Sequence, residues 1–123
     1  MNDVEHVATR TLEQWEAITA ALTPVIGQQG MSALYKRALV LSAADHPWLP
    51  AYRDDTSLAM ELAALRSALL RQPVSQAAGA GEAMTSIFVA LLVSLIGSRL
   101  TEQLLHDALP PARDNTTQPT LLP

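Results

Sequence analysis

The stretch Ser86–Leu100, "SIFVALLVSLIGSRL", is the most apolar part of this chain, and its reading decides the fold. It lies in a run of sixteen uncharged residues from Ala83 to Ser98, diluted only by Thr85, Ser86, Ser94, Gly97 and Ser98. A membrane span needs roughly 20 predominantly apolar residues. Arg99, Glu102, His106 and Asp107 follow at once, and no cluster of positive charge flanks the run. The stretch therefore reads as a buried helix of a protein with no membrane partner.

Its faces carry more information. Ser86, Ala90, Ser94 and Ser98 recur at four-residue spacing, forming a seam of small side chains that admits a second backbone. Met84, Phe88, Leu91 and Leu95 lie on one side of the seam, and Val89, Val93, Ile96, Leu100 and Leu104 towards the other. A helix apolar nearly all round is buried nearly all round. Its cover is either a partner subunit or the other helices of the same subunit. We favour a two-fold homodimer, the commonest closed assembly. The expected interface is Ser86, Val89, Ala90, Val93, Ser94, Gly97 and Ser98, on an apolar helix over 82–107.

The remaining chain supplies three more helices. Val4, Val7, Ala8, Leu12, Trp15, Ile18, Ala21 and Leu22 recur at three- and four-residue spacing, which predicts a helix over 3–22 with Asn2 or Asp3 as its cap. Gly27 and Gly30 then weaken the pattern. Either a short turn precedes Met31 or the helix runs through loosely. Met31, Leu34, Tyr35, Ala38, Leu39, Leu41 and Ser42 predict a second helix over 31–44, stopped by Pro47 and Pro50. Leu58, Leu62, Leu65 and Leu69 form the stripe of a third helix over about 56–71, with Asp54 or Asp55 as cap, Glu61 outside the stripe and Pro73 as the stop. The fourth starts near Ala80, or earlier with Ser75 as cap, and runs unbroken to Asp107.

These elements predict an all-α domain over 1–108, a four-helix bundle of up-and-down type with a long apolar C-terminal helix. The Pro-rich segment 109–123 reads as a disordered tail. Length supports one core of this size, and no internal repeat is visible.

Composition narrows function. The chain has 123 residues, a net charge of −4, one lysine (Lys36) and seven scattered arginines. No basic stripe is available to neutralise phosphates, so nucleic acid is excluded as a partner. There is no cysteine, which suits a reducing compartment. The polar start "MNDVEHVATRTLEQW" has no hydrophobic signal core, and a cytoplasmic location is expected.

Catalytic patterns are absent. Glu5-His6, Asp45-His46 and His106-Asp107 are adjacent pairs, and helix neighbours point about 100° apart. Glu102 and His106, at i and i+4, share a face, but read as a surface pair near a helix C-terminus. No HxxxH or ExxH pattern suggests a metal, and neither the Gly27/Gly30 nor the Gly79/Gly81 stretch matches a phosphate loop. No GxSxG elbow occurs. Asn115-Thr-Thr117 spells a glycosylation acceptor with no secretion signal to make it meaningful. The reading is of a non-enzymatic protein without metal or cofactor.

The loop "AADHPWLPAY" concentrates aromatic and proline residues. We read Trp48 and Tyr52 as plugs for an open end of the bundle. The alternative is a cavity for a small apolar ligand near Trp15, Trp48, Met84 and Phe88.

Gly30–Leu49, "GMSALYKRALVLSAADHPWL", and Phe88–Leu105, "FVALLVSLIGSRLTEQLL", resemble segments of small helical bacterial proteins of uncharacterised function. The resemblance covers about a third of the chain and implies a regulatory setting, with no catalytic residue to carry over. A histidine-phosphotransfer bundle is the sharper comparison, but His46 precedes Pro47 at a helix end and the lysine–glycine pair of that family is missing. The expectation is a homodimeric regulatory or interaction module of a bacterial cytoplasm, with a protein partner in its pathway.

Overall fold

The computed structural model describes residues 3–53, 56–106 and 108. These residues are all-α: helices α1 (Asp3–Ala43), α2 (Leu58–Leu70), α3 (Val74–Ile96) and α4 (Ser98–Leu105), with no strand among them. The segment 109–123, read above as a disordered tail, lies outside the described residues.

The long α1 is not a rod. Trp15 and Tyr35 are twenty residues apart, about 30 Å along a straight helix. Their ring centroids are 5.1 Å apart, edge to face. The helix therefore folds back on itself at Gly27, whose φ of 80° and ψ of 166° lie in a region essentially closed to residues with a Cβ. The preceding turn is already weakened. Pro24 offers no N–H to the helix, and the hydroxyls of Thr19 and Thr23 donate to the carbonyls of Trp15 and Thr19 at 2.8 and 2.7 Å, which favours bending. Of the two readings left open by the glycines, a short turn before Met31 or a loose continuous helix, the break is nearer the first, but it is a single residue and it reverses the chain, which neither reading anticipated. Its arms span 3–26 and 28–43.

Named contacts give the helix directions. A Cβ on Gly81 would lie 3.1 Å from Thr11 Oγ1, Thr85 Oγ1 donates to Gln14 Oε1 at 3.3 Å, and Phe88 meets Trp15 with centroids 5.1 Å apart. Positions rise together, so α3 runs parallel to the first arm. In contrast, Ser57, Leu58 and Ala59 line a groove with Thr19 and Thr23, whereas Leu62, Ala63 and Arg66 line only the neighbouring groove that extends to Thr9. This distribution places the start of α2 towards the end of the first arm, so α2 runs opposite to that arm. The second arm and α2 thus point the same way, and consecutive helices do not simply alternate.

The connection 44–57 makes this possible by travelling back along the second arm. Leu49, within this connection, is buried. Tyr52 lies beside Tyr35, centroids 6.4 Å apart, with Lys36 Nζ 5.5 Å above its ring. Tyr52 therefore covers a flank, not an end. Trp48 stays near the end, against His46 with centroids 6.0 Å apart.

The cap of α2 is Ser57, whose Oγ accepts from the Met60 N–H at 3.2 Å; Asp54 and Asp55 lie outside the described residues. Glu61, read as outside the stripe, is buried at 3% exposure and its carboxylate accepts from the Thr56 hydroxyl. Thr56, at the end of the returning connection, and Tyr35 of α1 both lie against it.

Helix α3 starts six residues before Ala80, directly after Pro73, and it stops at Gly97. That glycine has φ 91° and ψ 159°, nearly the geometry of Gly27. An unbroken helix over 82–107 is thus corrected to α3, an elbow, and a short α4 that buries Thr101 and Leu105. The uncharged run hid this elbow because glycine costs little in an apolar pattern until its φ is known. Helix α1 is the common wall: α2, α3 and α4 all pack against it, and α4 also packs on α3. Trp15, Tyr35 and Phe88 occupy the centre with Ile18, Leu22, Leu65, Leu69, Met84 and Leu92, all essentially inaccessible.

Candidate interaction site

One face of α3 is spent on the core. Ala77, Ala80, Gly81, Met84, Phe88 and Leu92 are buried, at the spacing that one helix face dictates. The opposite stripe is Glu82, Ser86, Ala90 and Ser94, all exposed. Beyond Glu82 this outer stripe carries no charge as far as Ser98. Val89 and Val93 flank it half-buried, Gly97 and Ser98 are exposed, and Leu95 is 63% exposed. All seven residues singled out as an interface therefore lie at or beside the outward side of α3 and its elbow. Leu100, 40% exposed, adds apolar surface on α4.

An exposed uncharged stripe of small residues flanked by apolar side chains has a defined use. Small side chains let a second helix approach closely, and the flanking valines then meet its own side chains. With its earlier start, α3 has 23 residues and is long and apolar enough to cross a membrane by length and composition. The sixteen uncharged residues Ala83–Ser98, read from the sequence as too short for a span, are extended by the turns from Val74 that precede them.

The residues proposed for a ligand cavity are distributed differently. Trp15, Met84 and Phe88 are wholly buried, with Trp15 packed edge to face between Tyr35 and Phe88. Trp48 sits apart, beside His46. Two open grooves among the described residues, each of about 640 Å³, are lined by other residues. Filled, close-packed surroundings characterise a core.

Several polar atoms in this interior lack a hydrogen-bond partner among the described residues: Trp15 Nε1, Tyr35 Oη, Ser42 Oγ, His46 Nδ1 and Trp48 Nε1. Burial, reinforced by the Glu61 carboxylate and by Tyr52, pushes the Tyr35 phenol well above its usual ionisation range. A phenol held neutral in this way cannot serve as a base near neutral pH. Glu102 and His106 are both exposed, as a surface pair would be. No group of three or more His, Cys, Asp or Glu side chains is gathered among the described residues.

No protein-family model, curated protein or solved structure matches this chain.

Proposed function

We propose that this protein is a non-enzymatic interaction module that acts as a homodimer, two copies packing the outward face of α3 against each other. The observation that supports it is the uncharged outer stripe of α3, with Ser86, Ala90 and Ser94 exposed and Leu95 at 63% exposure. A second copy is the partner this surface suits, because a two-fold axis uses the same patch on both subunits and an uncharged patch brings no like charges together. The two α3 helices then meet across the axis with each first arm of α1 on the far side of its own α3, an assembly different from the up-and-down bundle of a single chain expected from the sequence. A regulatory role in a bacterial cytoplasm, transmitted to a protein partner, belongs to the same proposal. Glu82 on the stripe, and the packing of the opposite face on α1, weigh against a lipid environment for α3.

Light scattering coupled to chromatography tests the proposal. Wild-type protein at micromolar concentration is expected at twice the chain mass, and Ser94→Glu at the chain mass with unchanged helicity. A wild-type monomer, or a dimer indifferent to Ser94→Glu, overturns it.

A further inference from the structure

A second surface lies on α1 away from its contact with α3. Helix α2 packs substantially only on α1, so one side of the pair stays open as a groove of about 640 Å³. Leu12, Leu58 and Leu62 line it with Ala20, Ala59 and Ala63; Glu13 and Glu16 stand on the α1 side, and Arg66 on the α2 side. Glu13, Glu16 and Arg66 are all exposed.

We propose that this groove docks an amphipathic helix of another protein, basic along the flank that meets α1. Three features select that occupant. The walls are the sides of helices, whose backbone groups are already bonded, so an extended peptide finds no edge to pair with. A helix satisfies its own backbone and needs only an apolar stripe. From Thr9 to Ala20 the floor runs about 16 Å, three turns of a docked helix, and the alanines on it leave room for leucine-sized side chains. The charge pattern sets the sense: the two carboxylates on α1, one turn apart, meet lysines or arginines, and Arg66 accepts an acid on the opposite flank. This surface is separate from the α3 stripe, and neither proposal rests on the other.

The test uses a fluorescent synthetic helix of about 14 residues, with leucines at i, i+3 and i+7, lysines along one flank and a glutamate on the other. A matched peptide has the two flanks exchanged in charge, glutamates for lysines and lysine for glutamate. Fluorescence anisotropy with the full chain is expected to show the basic peptide binding about tenfold more tightly than its counterpart. Glu13→Lys combined with Glu16→Lys is expected to reverse that order. Ala63→Trp, which fills the groove from an exposed position, is expected to abolish binding, whereas Ser94→Glu leaves it unchanged. Equal binding of the two peptides overturns the proposal, as does basic-peptide binding that survives Ala63→Trp. If Ala63→Trp instead converts a dimer into monomers, the groove belongs to a second copy and the proposal fails.

Discussion

At the scale of single residues, two glycines and one tyrosine are the most informative. Gly27 and Gly97 adopt nearly the same rare backbone conformation, and a Cβ at either would meet nothing within 4 Å. Space is therefore not the obstacle to a side chain; the backbone is. Gly27→Ala and Gly97→Ala are each expected to cost about 1–3 kcal/mol, read from the midpoint of urea unfolding. A cost near zero at either position would mean that its elbow is not held as described. Tyr35 makes a different case, because its buried hydroxyl has no partner among the described residues and its ionisation is pushed up. Between the ordinary phenol pKa, about 10, and the raised folded value, the unfolded chain has lost a proton that the folded chain keeps. Stability from this group is thus full below pH 10 and falls as pH rises further. Tyr35→Phe is expected to remove that part of the alkaline slope and to leave neutral-pH stability equal or greater by about 1 kcal/mol, since it deletes an unsatisfied polar group. Unfolding curves across alkaline pH check both statements, with Tyr52→Phe as the control.

At the scale of elements, α1 behaves as two helices that share one interior. The edge-to-face stack of Tyr35, Trp15 and Phe88 joins both arms to α3, so Trp15→Ala removes the contact that all three have in common. A loss of about 3–5 kcal/mol is expected, measured by chemical unfolding; a loss under about 1 kcal/mol would contradict the central placement of Trp15. The sequence made the helical class and most of the apolar stripes legible, because periods of three and four residues survive any global arrangement. It marked Gly27 as a weak point, yet the fold-back needed the contact between Trp15 and Tyr35 to be seen. Gly97 was harder still, since apolar periodicity continues from Leu95 through Leu100 to Leu104. Helix directions were not legible, because the connection 44–57 looks like any loop until Tyr52 is placed beside Tyr35. Burial of Glu61 was hidden for the same reason: its cover comes from outside α2. The outward stripe of α3 was legible as a seam of small residues, whereas the α1–α2 groove was not, since it depends on which helices fail to meet.

At the scale of the whole molecule, the two proposed surfaces differ in their physics, and that difference can be measured. The α3 stripe carries no charge between Glu82 and Arg99, so its self-association draws on apolar burial and close packing. Such an interaction is nearly blind to ionic screening. The groove, in contrast, pairs an apolar floor with Glu13, Glu16 and Arg66, charges that face solvent and are screened over about 10 Å at 0.1 M salt. Raising sodium chloride from about 0.05 M to about 1 M, where the screening length shrinks to about 3 Å, is expected to leave the dimer mass unchanged. The same change is expected to narrow the affinity gap between basic and acidic peptides at the groove. Sedimentation and anisotropy titrations at both salt concentrations give the two readouts on one preparation. A dimer that dissociates in high salt would relocate self-association to a charged surface, and the arms carrying Glu13, Glu16 and Arg66 would become the place to look for it.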